Sequence, residues 1–587
     1  MVNYHANNLK IAMNFLILCT EDPIVLETLK KRAFNLGLKC IDSTPGVNIF
    51  LNDTAFAKIN ENGYVFYRYL FYKRSFEQVN KDYLCLKVPI VQNFIKEFYG
   101  KYVTCTISQD RNLSVYRDIT GSMPVFYKRI DCGLIIASSI KLIDSLCGIN
   151  LEINKQYVMT YVFNGRFISN STPFSDIYEL PPGCALNVKD NFRTNIDPLW
   201  LSHLAKKFLN SKHKILKEHK IVSTLKKVIK GYIEDQSIVQ IDYSGGLDST
   251  CLLLATHNIL NKEQILVTLH AQPNELTSES NETIFVQETM KSLNLDYQSV
   301  EFEEKKRLFS HVDEAADYPD YIDSFQVMPH NNQTKIFTLN GEGGDQIFCA
   351  FPLFEALIDL IQDGKCELLD NKLSTFKEFS NLTCSKIISL LSKHMKNFPS
   401  SIIAEKVKDE KIRYKRYFSN LEVIEDINSL KLRDRFKKFP GKFYHIELFL
   451  NALSETLGTF EDSKRLFPML EEPFLELILT IPTYLFFEDN FDRFPIRNAF
   501  SKAFYPYKAL WRKDKGYYFN MNFDLLKKNR QYIFGLFENG QLMKLGLINK
   551  SFFNLVDKAL VSKNEHDLSI ISNVYLIEKF FKKWGIQ

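Results

Sequence analysis

The sequence predicts two unlike halves: an α+β N-terminal half, and an α/β C-terminal half with a parallel sheet and a helical extension. Three observations predict this. Residues 1 to about 200 are β-rich, with aromatic and β-branched runs separated by turn signals. Beyond a basic connector, residues 205–220, short apolar strands alternate with helical segments. From about Phe351 onward, apolar residues recur at three- and four-residue spacing, the period of helices packed on one face.

In the N-terminal half, residues 63–67, 102–107 and 133–138 read as strands. Residues 117–127 form a turn feeding a further strand, and residues 177–183 lead into a polar stretch that ends at Trp200. In the C-terminal half the predicted strands are residues 237–243, 265–269, 297–302 and 335–339. A polar link, residues 272–281, precedes a helix running to Leu293. No internal repeat and no low-complexity segment is present.

Composition narrows the function classes. A chain of 587 residues predicts more than one domain, each with a sizeable core. A net charge of +5 is weak for this length, gives no case for a nucleic-acid partner, and leaves the lysine-rich runs as solvated faces. The eleven cysteines are scattered and form no CxxC pair, so neither a zinc site nor a disulfide framework is indicated. Reduced thiols in a cytoplasmic protein are the simplest reading. Residues 11–19 imitate the apolar part of a signal peptide, but Asn14 interrupts them and no small-residue cleavage site follows. They read as a buried strand, and Cys19 as part of it. No apolar run reaches membrane-spanning length, so the chain is expected neither to span a membrane nor to be exported.

The chemistry concentrates in three stretches. The first, Ser244-Gly245-Gly246-Leu247-Asp248-Ser249, lies between a predicted strand and the apolar helical run of residues 250–255. Strand, tight loop and helix N-terminus together offer backbone N–H groups and a positive dipole end to an anion. Gly245 and Gly246 allow close backbone approach, and Ser244 and Ser249 add hydroxyls. Asp248 would repel a phosphate unless it held a divalent cation, so its presence predicts Mg²⁺. The second, Asn340-Gly341-Glu342-Gly343-Gly344-Asp345, follows another predicted strand. Ligands of open parallel sheets collect at the carboxyl ends of the strands, so the two loops can face one site. The third is Phe491-Asp492-Arg493-Phe494-Pro495-Ile496-Arg497-Asn498-Ala499-Phe500, followed by Trp511-Arg512-Lys513-Asp514-Lys515-Gly516.

These stretches carry a family resemblance. The first resembles the pyrophosphate loop of the N-type ATP pyrophosphatases, and the second resembles the "SGEGGDELF" loop of class B asparagine synthetases. In the N-terminal half, the pattern Arg117-Asp118, Gly121, Pro124, Phe126-Tyr127 and then Glu179-Leu180-Pro181-Pro182-Gly183 resembles that family's glutaminase-like domain. The resemblance implies an Ntn-hydrolase-like αββα sandwich over residues 1–205 and an ATP-pyrophosphatase (adenine nucleotide α-hydrolase-like) synthetase domain over residues 206–587. The family's nucleophile is a cysteine freed as residue one. This chain begins Met1-Val2-Asn3, which implies a glutaminase-like domain that has lost glutamine hydrolysis.

By the same resemblance, Ser244, Gly245, Gly246, Asp248, Ser249, Leu269, Asn340 and Gly341 bind ATP, and Asp248 and Asp345 ligate Mg²⁺. Glu342 faces the reacting carboxyl. A lysine of the third stretch supplies the fixed cation that adenylation and amine attack require; Lys515 is assigned this role, with Lys513 as the alternative.

Residues 467–476, Ile481-Pro482-Thr483 and the run Asp492-Arg493, Arg497, Ala499-Phe500 resemble the C-terminal half of the lasso peptide synthetases. That resemblance implies adenylation of an Asp or Glu side chain in a precursor peptide, then attack by the core peptide's α-amine to close a macrolactam ring. It also implies two partners, a leader-binding protein and a leader protease. The competing reading is an asparagine synthetase or β-lactam-synthetase-like amide former acting on a small molecule. A tRNA-modifying pyrophosphatase is disfavoured by the near-neutral charge, and a catalytically dead scaffold by the intact loops.

Overall fold

The structure is a computed structural model and describes residues 14–52, 56–60, 63–73, 75–79, 91–108, 110, 112–148, 151–211, 217–272, 282–301, 317–319, 337–350, 353–380, 382–397, 411–419, 421–423, 432–457, 465–513, 523 and 526–586. The N-terminal half holds strands β1 (Phe15–Thr20), β2 (Lys39–Thr44), β3 (Val47–Leu51), β4 (Phe56–Asn60), β5 (Gly63–Tyr72) and β6 (Phe98–Ile107). It continues with β7 (Leu113–Arg117), β8 (Phe126–Ile130), β9 (Gly133–Ala137), β10 (Tyr178–Glu179), β11 (Ala185–Lys189) and β12 (Arg193–Asp197). They pair antiparallel into two sheets, in the orders β10-β8-β9-β1-β3-β2 and β12-β11-β7-β6-β5-β4.

Strand β1 shows why the sheets stack. Successive side chains point to opposite faces, so Phe15, Ile17 and Cys19 join the core between the sheets. Phe15 stacks on Phe66 of the second sheet at 5.1 Å between ring centroids. Leu16 and Leu18 face the other way, into a core shared with Leu29 and Ala33 of the helix Pro23–Asn35 and with Ile140 and Ile143 of the helix Ile140–Cys147. The helix Pro23–Asn35 starts where it does because the Asp22 carboxylate accepts the Ile24 and Val25 N–H groups. Cys19 lies opposite Val47 on one side and Leu134 on the other. Burial pushes its thiol up to about 12, so it is a packing residue.

The Arg117-Asp118 motif is a buried corner. Arg117 donates to Glu179 Oε1 (2.6 Å), to the Leu180 carbonyl (2.7 Å) and to the Gly121 carbonyl (2.7 Å). The Asp118 carboxylate accepts the Thr120 N–H at 2.8 Å.

The connector differs from its expected form. A helix, Leu199–Ser211, covers its first part, because Trp200, Leu204 and Phe208 repeat every four residues and are all buried. Position 205 therefore lies inside a helix. After the helix His219–Ile233, a five-stranded parallel sheet is built from β13 (Ile238–Asp242), β14 (Ile265–Gln272), β15 (Gln298–Glu301), β16 (Phe337–Leu339) and β17 (Arg465–Leu466). Its order is β15-β14-β13-β16-β17. Among the described residues, the helical region after Phe351 is thus interrupted by β17: two residues are too short to leave a periodic trace, and only pairing with β16 defines them. Described helices of this region include Glu355–Gln362, Leu369–Ser380, Cys384–Asn397, Pro440–Thr456, Phe494–Ala503, Phe552–Ser562 and Glu565–Lys583. Among the described residues, no helix is long and apolar enough to cross a membrane.

Among the contacts that bind the halves together are a helix pair and an ionic network. The helix Glu565–Lys583 packs back on the helix Lys155–Asn164, with Asn573 Nδ2 donating to the Val162 carbonyl at 3.0 Å. The second is a buried ionic network. Lys73 Nζ lies 2.5 Å from Glu472 Oε1 and 2.8 Å from Glu476 Oε1, Lys207 Nζ lies 2.6 Å from Glu476 Oε2, and Trp200 Nε1 donates to Glu472 at 2.8 Å. Glu471 accepts from the Tyr232 hydroxyl at 2.8 Å and lies 3.8 Å from Lys101 Nζ of the N-terminal half. These glutamates belong to the stretch read in the sequence as a lasso-type feature; here their side chains join the two halves.

Candidate active site

The parallel sheet sets the level of the site. In register, Asp242 closes β13 opposite Leu269 of β14, and Ile241 lies opposite Leu339, the last residue of β16. Both candidate loops therefore leave adjacent strands at one edge. The Tyr243 N–H continues the ladder to the Leu269 carbonyl at 2.8 Å. Gly245 then takes φ +83°, and a Cβ there would stand 3.0 Å from Val286 Cγ2 and 3.1 Å from the Glu282 carbonyl oxygen. The helix after the loop is Leu247–Ile259, starting earlier than the apolar run alone predicts, so Asp248 and Ser249 sit in its first turn. Its capping residue, Gly246, has no side chain to occupy the first-turn N–H groups. The serines brace the loop: Ser244 Oγ accepts the Gly246 N–H at 3.2 Å and lies 3.1 Å from Ser249 Oγ, which donates to the Gly246 carbonyl at 3.2 Å.

The second loop packs directly onto the first. A Cβ on Gly341 would stand 3.1 Å from the Ser249 nitrogen, and one on Gly344 would stand 2.5 Å from Asp248 Oδ1. Backbone therefore lies against backbone at Gly341, and against the Asp248 carboxylate at Gly344, approaches that only glycine permits. Asn340 is buried: its Nδ2 donates to Asp242 Oδ2 at 3.0 Å and its Oδ1 accepts the Glu342 N–H at 2.8 Å. Arg465 of β17 lies 3.5 Å from the same Asp242.

The third stretch closes the site through arginines. Arg493 Nη1 donates to Asp248 Oδ2 at 3.1 Å and to Asp345 Oδ1, and its Nε donates to Asp492 Oδ2 at 3.1 Å. Burial opposes its charge, but Asp248, Asp345 and Asp492 together outweigh burial and raise its pKa. Two carboxylates that reach one guanidinium nitrogen can share one cation. Mg²⁺ is commonly held by one or two carboxylates, its other positions falling to substrate phosphates and water, so this donor set fits that ion. Arg497 staples the stretch together, donating to Asp492 Oδ1 (2.6 Å) and the Leu510 carbonyl (2.6 Å). Arg512 Nη1 donates to Glu282 Oε1 (3.0 Å) and to the Gly245 carbonyl (3.3 Å).

The fold thus brings together Ser244, Gly245, Gly246, Asp248, Ser249, Asn340, Gly341, Glu342 and Asp345, with Leu269 buried at the end of its strand. Lys513 is exposed, its Nζ 4.8 Å over the Phe491 ring. Lys515 lies outside the described residues. Two arginines of the third stretch with no role assigned from the sequence, Arg493 and Arg512, belong here, as does Glu455 on the helix Pro440–Thr456, which no motif contains. Burial and the neighbouring Glu342 carboxyl push Glu455 up to about 8, against the pull of Arg166.

Gly344→Ala tests the loop-on-loop packing. The new methyl displaces Asp248, so Mg²⁺-dependent nucleotide binding, read by calorimetry, is expected to fall at least about tenfold, a cost of about 1.4 kcal/mol. Unchanged binding would contradict the packing.

Comparison with known proteins bears on the N-terminal half. No curated protein matches the chain. Among solved structures, the chain is similar to the allosteric regulatory enzyme of purine biosynthesis (9% identity, TM-score 0.21, 49% of this chain and 80% of that one). It is also similar to glutamine phosphoribosylpyrophosphate amidotransferase from B. subtilis, solved with ADP and GMP (10% identity, TM-score 0.21, 49% of this chain and 90% of that one). Residues 89–200, which include the Arg117-Asp118 corner and Pro181-Pro182-Gly183, match the glutamine amidotransferase domain family, and that match supports an enzyme of amidotransferase or asparagine synthetase type.

Proposed function

We propose that the chain is an ATP-dependent, AMP-forming amide synthetase that closes a macrolactam ring in a precursor peptide, a lasso peptide cyclase. One observation carries the reading: Asp248 and Asp345, on separate glycine-bearing loops at the carboxyl end of a parallel sheet, reach a single cationic nitrogen. Asp248 and Asp345 hold Mg²⁺, which neutralises charge on the triphosphate. The loop Ser244 to Ser249, with the uncapped start of the helix Leu247–Ile259, receives the phosphates, and Leu269, Asn340 and Gly341 border the nucleoside. A side-chain carboxylate attacks the α-phosphorus and pyrophosphate leaves. The core peptide's α-amine then attacks the acyl adenylate, forming an isopeptide bond and releasing AMP. Glu342 faces that carboxyl, and Lys515 stabilises the charge that develops.

Cys19 is locked in β1, which fits an N-terminal half that no longer supplies ammonia from glutamine. A cytoplasmic location, with a leader-binding protein and a leader protease as partners, belongs to the same proposal.

Glu342 also suits the rival, a small-molecule amide former of the asparagine or β-lactam synthetase kind. AMP and pyrophosphate are measured with a synthetic precursor peptide encoded beside the gene, and separately with aspartate plus ammonia. Turnover with the peptide, and a product lighter by one water, is expected. Turnover with aspartate and ammonia alone overturns the peptide reading. No AMP from either overturns the synthetase reading.

A further inference from the structure

We propose that His445 is a positioning residue for Asp345, holding the acidic loop from behind through a ring tautomer that Lys442 selects. The proposal rests on the nucleotide and Mg²⁺ reading above and adds to it two residues that no motif contains.

Its basis is geometric. Lys442 and His445 lie three residues apart on the helix Pro440–Thr456, and both are fully buried. A buried ammonium is costly unless every N–H finds an acceptor. Lys442 Nζ has three, and three acceptors surround it: the Ile481 carbonyl at 2.6 Å, the Leu479 carbonyl at 3.0 Å and His445 Nδ1 at 3.0 Å. A ring nitrogen that accepts from Lys442 carries no proton, so the proton is on Nε2. That nitrogen lies 2.7 Å from the Ile347 carbonyl, which can only accept. The two contacts demand the same tautomer. Burial, and then the Lys442 charge, push the His445 pKa well below its ordinary value, so the ring keeps that single N–H.

The pair stands behind both walls of the site. Ile347 ends the short helix Gly344–Ile347, two residues after Asp345. At the front of this turn the Asp345 carboxylate meets Arg493. At its back His445 takes one of the carbonyls that a helix end leaves without an intrahelical partner. On the other side, His445 packs edge-on against Phe486, 5.0 Å between ring centroids. The Phe486 carbonyl accepts the N–H of Phe494, the residue after Arg493, at 2.9 Å. The start of the helix that carries the pair is itself fixed: Asp359 Oδ1 accepts the Gly441 N–H at 2.9 Å, and Oδ2 accepts the Lys442 N–H at 2.8 Å. One buried pair therefore ties the loop of Asp345 to the stretch of Arg493, whose side chains meet in the site.

Ring-nitrogen NMR of the full chain tests the tautomer without any nucleotide, the His445 signals being those missing from His445→Gln. Nε2 protonated and Nδ1 bare is the expected result, and the opposite tautomer or an imidazolium overturns the proposal. Calorimetry with ATP, in Mg²⁺ and then in EDTA, tests the positioning. His445→Phe is expected to lose about tenfold or more of the affinity in Mg²⁺, as removal of a group that orients a metal ligand does, and to equal the wild type in EDTA. His445→Gln, whose amide can still donate to the Ile347 carbonyl, is expected to regain most of that loss. Unchanged Mg²⁺-dependent binding in His445→Phe overturns the proposal. So does an equal loss in EDTA, or a loss that His445→Gln does not restore, since either makes the residue structural only. A wild type that binds no ATP overturns the synthetase reading instead, and the nitrogen spectra then decide the pair by themselves.

Discussion

Asp248→Ala is expected to cut AMP and pyrophosphate formation by about 10³-fold or more, since a bound metal ion supplies several kcal/mol of transition-state stabilisation. The fold is expected to survive. Arg493 keeps Asp345 and Asp492 as partners, so no buried cation is stranded, and the melting temperature should stay within a few degrees of the wild type. Asp345→Asn is expected to be as damaging, and the double variant no worse than either single one, because two ligands of one ion act as a unit. Catalysis within tenfold of wild type in Asp248→Ala would remove the metal role from that residue. Equal loss of activity and of melting cooperativity would make Asp248 a structural residue.

The sequence made the two loops legible because their information is local. A glycine pair after a β-prone run and a glycine-rich turn after another state where strands end, and parallel-sheet geometry does the rest. What local pattern could not supply is which cation the loops meet. Lys513 and Lys515 stood out as basic residues near a tryptophan; among the described residues, which do not include Lys515, the basic side chains that touch the loops are Arg493 and Arg512. Arg493 sits in a left-handed turn, φ 50°, at the start of the helix Phe494–Ala503, and nothing in the neighbouring residues announces that it points to a carboxylate pair. Glu455 was equally silent, a lone acid near the end of an amphipathic helix whose meaning comes from Glu342 across the chain. Strand β17 and the helical form of the connector were missed for related reasons. One is defined only by pairing with β16. The other reads as basic because Lys206 and Lys207 lie beside the buried Leu204 and Phe208.

The glutamates Glu471, Glu472 and Glu476, in a stretch that the sequence marks by family resemblance, also hold the molecule together. Lys73→Met tests this. It leaves Glu472 and Glu476 with Lys207 as their one remaining lysine in the Lys73 cluster. Removing one partner of a buried pair costs about 3–5 kcal/mol. Glu472 already sits at about 8, raised by burial and held back by Lys73, so without Lys73 its pKa climbs further. A carboxyl whose folded pKa is raised favours the folded state when protonated, and that advantage fades as pH climbs from the ordinary carboxyl range through the folded value. Through Glu472, the deficit of Lys73→Met should therefore widen as pH rises past about 8, in urea or thermal unfolding. Adding Glu472→Gln restores charge balance: Lys207 and Glu476 remain paired at 2.6 Å, and the glutamine oxygen can still accept from Trp200. The double variant is expected to regain most of the lost stability and to lose the added pH dependence. If it is no more stable than Lys73→Met alone, charge imbalance is not what Lys73 corrects, and the network is packing rather than electrostatics.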